Sequence, residues 1–81
     1  MFDHVQLRVL ASGILFRAVL RALKRAPTPE QKMEVHRRVE DLVWQMSPAL
    51  LIQVDGRDVD DGIPESLEWS AIVDALAREF A

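Results

Sequence analysis

The chain contains no cysteine. That excludes a disulfide framework, a thiolate zinc site and a cysteine nucleophile, and it fits a cytoplasmic protein. Aromatic side chains are scarce: Phe2, Phe16, Phe80, Trp44 and Trp69 are all there are. A core must therefore be built from Leu, Val, Ile and Ala. No charge-free apolar run reaches the about 18 residues of a membrane span, because Arg8 and Arg17 interrupt the one candidate. Asp3 stands where a secretory signal would carry a basic flank, and no small-residue cleavage site follows, so no signal peptide is expected. Residues 4–25 are Arg-rich, acid-poor and amphipathic, as transit peptides are. Their many apolar residues, and the small core that would remain without them, assign them to the folded domain instead.

What is present is an 81-residue chain with 49% hydrophobic residues, enough for one domain with a modest core. Chains of this size often gain stability from self-association or a partner. Val5, Val9, Phe16, Val19, Leu20 and Leu23 recur at helical spacing and predict a first helix from about Asp3 to Arg25. The alternation in Val5-Gln6-Leu7-Arg8-Val9 also admits a strand, but Gln, Leu, Arg and Ala are the better helix formers. Gly13 inside this helix costs about 1 kcal/mol relative to Ala, and marks a close approach of another helix. Pro27 ends the helix. Thr28, Pro29 and Gln31 then form the cap, first-turn proline and capping-box partner of a second helix running to about Met46. Its apolar stripe is Val35, Val39, Leu42, Val43 and Met46.

Ser47-Pro48 repeats the cap-and-proline pattern and predicts a short third helix, Pro48 to Val54, stopped by Gly56. The competing reading is a hairpin around 50–59, with its turn at Asp55-Gly56. After an Asp- and Gly-rich loop, Trp69, Ile72, Val73, Leu76 and Phe80 mark a last helix from Pro64 or Ser66 to Phe80. The expected fold is all-α, a single three- to four-helix bundle over residues 1–81; the hairpin alternative would make it α+β.

Nothing in the chain assembles a catalytic set. His4 and His36 are far apart, and none of Ser12, Ser47, Ser66 and Ser70 lies in a strand-turn-helix nucleophile signature. A calcium loop fails on register. With Gly62 at the sixth position, Arg57 and Val59 occupy the first and third; with Gly56 there, Leu51 occupies the first. The expectation is a non-enzymatic protein with no metal and no cofactor.

The charge is segregated. The net −3 divides into +4 over residues 1–27, −1 over 28–47 and −6 over 48–81. Two charged features follow. Asp55, Asp58, Asp60, Asp61, Glu65 and Glu68 crowd one stretch, offset only by Arg57. The two Glu suit a helix start, whereas the Asp run offers a patch for a basic partner surface. On a helical wheel Arg17, Arg21, Lys24 and Arg25 share one side of the first helix, opposite Val5, Val9, Phe16, Val19 and Leu23. Upstream, that side carries Leu7, Leu10 and Ile14, so the first half of the helix is apolar on two faces. The Leu7/Leu10/Ile14 face is expected either to lie under the C-terminal segment or to form an interface with another chain. Trp44 lies off the second helix's main stripe, near Met33 in angle. Exposed, the pair is a candidate binding hot spot; at the core's edge, the indole N–H reaches a polar partner.

These features point to a small protein–protein interaction module, either a homodimer or itself a subunit or inhibitor of a larger complex, binding through Leu7, Leu10, Ile14, Trp44 and the acidic residues Asp55, Asp58, Asp60 and Asp61. Two alternatives stand beside it. One is a nucleic-acid-directed regulator using Arg17, Arg21, Lys24 and Arg25, disfavoured by the acidic net charge and the lack of interleaved aromatics. The other is an inhibitor, such as a phage-encoded one, whose Asp loop mimics nucleic-acid phosphates. Arg21 or Arg25 is expected near Asp58 or Asp61 within the fold.

Overall fold

Each helix begins at a side chain that satisfies its first free N–H groups. The structure, a computed structural model, describes residues 3–81. Helix α1 spans His4–Ala22, with Asp3 Oδ1 accepting from the Val5 and Gln6 amides at 3.0 and 3.3 Å. Helix α2 spans Pro29–Trp44. Its capping box is complete: Thr28 Oγ1 accepts from the Gln31 amide at 3.1 Å, and Gln31 Oε1 accepts from the Thr28 amide at 3.0 Å. Helix α3, Pro48–Leu51, is capped by Ser47 and tightens into a 3₁₀ turn at Ile52–Val54. Helix α4, Leu67–Glu79, starts at Ser66, whose Oγ accepts from the Trp69 amide at 3.2 Å.

One boundary differs from expectation, and the helix expected over 48–54 forms. α1 stops at Ala22, because Leu23 turns extended, so Lys24 and Arg25 lie beyond the helix. Pro27 excludes α geometry at Ala26, and the chain uses residues 23–27 to reverse direction before Thr28. The 48–54 segment is helical, as α3 plus the 3₁₀ turn. The turn ends at Val54, and Gly56 just past it, at a φ of +80°, makes the left-handed stop in place of the β-turn of a hairpin. No strand occurs among the described residues.

α1 is the central element and packs against α2, α4 and the α3 segment. Its buried stripe is Leu7, Ala11, Ile14, Leu15 and Val19. It meets Val35, Val39, Val43 and Met46 from α2 and its end, Leu51 and Val54 from α3 and its turn, and Trp69, Val73 and Leu76 from α4. Arg38 clamps α2 to α4 through two bonds to Glu79, Nε to Oε2 at 3.1 Å and Nη2 to Oε1 at 3.2 Å. The radius of gyration is 12.0 Å, close to the roughly 12 Å expected of a compact chain this long.

The expected core stripe of α1 holds in its second half, where Val19 is buried and Phe16 and Leu20 pack against the core, and is inverted in the first half. Leu7 and Ile14 are buried, and Leu10 packs against the core from its edge, whereas Val5 and Val9 are exposed. The reason is continuity. Leu7, Ala11, Ile14, Leu15 and Val19 run unbroken along the helix, and Ala11 lets a neighbour approach closely. The Val5/Val9 side is interrupted by Ser12, so it cannot line a core over the same length. Ala11 and Leu15, which extend the Leu7/Ile14 face along the helix, decide between the faces.

Candidate interaction surface

Apart from single side chains such as Leu67, the exposed large hydrophobics gather along the junction of α1 and α2. Val5 and Val9 on α1 are 57% and 69% exposed, and Met33 and Trp44 on α2 are 74% and 61% exposed. The helices run antiparallel, so the start of α1 lies beside the end of α2. There the Arg8 guanidinium sits 5.2 Å from the Trp44 ring centroid, a cation–π contact. Arg8 Nε is buried beneath without an acceptor among the described residues, so the guanidinium is held by the ring and by packing.

Further along, the Phe16 ring meets His36 edge-on, with centroids 5.5 Å apart and planes at 76°. His36 Nδ1 lies 3.2 Å from Glu40 Oε1 one turn on. Val9, Phe16, His36, Glu40 and Trp44 line one open groove, and Phe16 and His36 continue it to Met33. The exposed apolar groups are thus one continuous strip with charged side chains set into it. Trp44 lies out on the surface, not tucked at the core's edge.

The acidic loop abuts α1 at Gly13 and Arg17, two residues that line this groove. Val59 packs its Cγ1 onto Gly13, where a Cβ would stand only 3.1 Å away. The close approach at Gly13 therefore comes from a loop side chain, not from a second helix. Arg17 donates from Nη1 to the Gly13 carbonyl at 3.2 Å and meets Asp60 Oδ1 through Nε at 3.5 Å. The pairing between basic helix and acidic loop is thus Arg17 with Asp60, in place of Arg21 or Arg25 with Asp58 or Asp61. Asp61 Oδ2 accepts from the Asp58 amide at 2.7 Å and closes the loop's tight turn. Asp61 has a local structural task and Asp60 a partner on α1, and all four of Asp55, Asp58, Asp60 and Asp61 are exposed. Among the described residues, no three His, Asp or Glu side chains converge as a metal set.

The four basic residues separate. Arg17 is engaged as described, Arg21 lies in the last turn of α1, and Lys24 and Arg25 sit on the connection to α2. Lys24 and Arg25 border a different cleft, of about 830 Å³, against Phe80 at the far end of the molecule. No single helical stripe carries all four. The Val5/Val9 contribution was missed from sequence because both residues fit the helical core period. The signal that would have found it is the polar break at Ser12.

The geometry defines a small all-α domain with a closed core and one apolar, charge-studded face. The chain has no match among family models, among curated proteins or among solved structures. No helix among the described residues is long and apolar enough to cross a membrane.

Proposed function

We propose that the protein is a small non-enzymatic interaction module that docks a protein partner on the α1/α2 face. The observation that carries this reading is the continuous exposed strip of Val5, Val9, Met33 and Trp44, in a molecule whose core is already filled by other residues. Exposed apolar strips rimmed by charge mark association sites, and Trp is the residue most enriched at binding hot spots. The acidic loop along the edge supplies a charged rim, which acts on association rate and partner choice more than on affinity. The lack of cysteine suits work in the reducing cytoplasm.

The test is affinity capture from the native host with the wild-type chain, a Met33→Ser/Trp44→Ser variant, and Leu67→Ser as an exposed control elsewhere. The expected result is a bound protein lost with the double variant and kept with Leu67→Ser. Loss instead on Asp58→Asn/Asp60→Asn would move the function to the acidic loop. Loss on Arg21→Gln/Lys24→Gln/Arg25→Gln, with nuclease-sensitive capture, would move it to nucleic acid.

A further inference from the structure

The outward face of α2 has an order that is unchanged when the helix is turned end for end and the charges are exchanged. Met33 is followed by the basic pair His36 and Arg37, then by the acidic pair Glu40 and Asp41, then by Trp44. All six are exposed, and Val35, Val39 and Val43 face the other way into the core. The steps of four, three and four from Met33 through Arg37 and Glu40 to Trp44 place those four on one narrow stripe, about 16 Å long at 1.5 Å per residue. Neither Arg37 nor Asp41 makes a side-chain ion pair or hydrogen bond among the described residues. A large Trp at one end and a Met at the other, with opposite charges between, Arg37 and Asp41 unspent and Glu40 engaged only with His36 on an exposed side, is a surface complementary to itself.

Resting on the interaction reading above, we infer that the occupant of this face is a second copy of the same chain, its α2 laid antiparallel across this one. A two-fold axis passing between Arg38 and Val39 sets Met33 against the partner's Trp44 and Arg37 against the partner's Glu40, each contact occurring twice. This is the isologous arrangement of a C2 dimer, in which one patch meets itself. A parallel copy in register would set Arg37 on Arg37 and Glu40 on Glu40, so the charges select the antiparallel form. The α1 helices then also face one another, and the strip's Val5 and Val9 are covered by the same event.

Sedimentation equilibrium of the full chain up to high micromolar concentration tests this, with helical content and melting temperature checked for each variant. The wild type sediments as a dimer, and Trp44→Ala makes it monomeric. Arg37→Glu and Glu40→Arg each weaken the dimer about tenfold, because every substitution acts twice across the axis. The Arg37→Glu/Glu40→Arg double variant recovers to within about threefold of wild type, which a merely structural role for either residue does not produce. A wild type that stays monomeric throughout overturns the self-docking and leaves the face to a different protein. A dimer broken by Trp44→Ala but indifferent to both charge reversals overturns the register and keeps the face. A dimer indifferent to Trp44→Ala and Met33→Ala overturns both this inference and the interaction reading it rests on.

Discussion

Helix α1 carries two apolar surfaces that look alike in composition and have opposite fates. The one through Leu7, Ala11, Ile14, Leu15 and Val19 is the centre of the core. The one through Val5 and Val9 is left in solvent beside Trp44. Hydrophobicity alone does not separate them, since each begins with large aliphatic residues at helical spacing. Length does. A core face must touch α2, α3 and α4 in turn, which needs an unbroken stripe over the whole helix. A shorter apolar patch at one end serves only a local contact, and a local contact is what an interface with another molecule is.

That contrast is open to attack, and the largest effect is expected at its centre. Ile14→Ala should cost about 2–5 kcal/mol, the usual range for truncating a fully buried aliphatic side chain. Chemical denaturation reads it directly, and a loss under 1 kcal/mol would mean that the buried face is not what holds the domain together. Gly13→Val probes the boundary between the two faces. The new side chain has to displace Val59, whose methyl lies 3.1 Å from where a Cβ would stand. Overpacking of this sort costs about 1–3 kcal/mol. It should also loosen the Arg17–Asp60 contact, visible as faster amide exchange over residues 57–62; unchanged exchange there would show that the loop is held without Gly13. The smallest effect belongs to the exposed face. Val9→Ser should change stability by no more than about 0.5 kcal/mol, while lowering affinity for whatever the α1/α2 face binds. If Val9→Ser destabilises as much as Ile14→Ala, the distinction between the faces fails.

Much of this architecture can be read along the chain. The capping box at Thr28–Gln31, the Ser47-Pro48 start, the Gly56 stop and the Trp69–Val73–Leu76 stripe are local signals, each formed among residues within a turn or so of one another. Local signals place helix ends because N–H satisfaction and proline geometry do not depend on the rest of the fold. The end of α1 was less legible: Leu23, Lys24 and Arg25 are all good helix formers, and only the need to reverse before Thr28 takes them out of the helix. The candidate site was legible in part. Trp44 and Met33 were visible as a pair off the main stripe, whereas Val5 and Val9 counted as core and Leu7 and Ile14 as a second face, for the C-terminal segment or an interface.

Four helical segments, their caps, the breaks between them and the segregation of charge were therefore determined by the amino-acid order itself, through interactions that span a few residues. Which side of α1 turns inward, which arginine meets the acidic loop, and what presses on Gly13 were decided only when distant segments met. Those choices depend on which stripe is long enough to be covered by three partners at once. Burial is a property of the assembled surfaces, so no single helix carries the information that settles it.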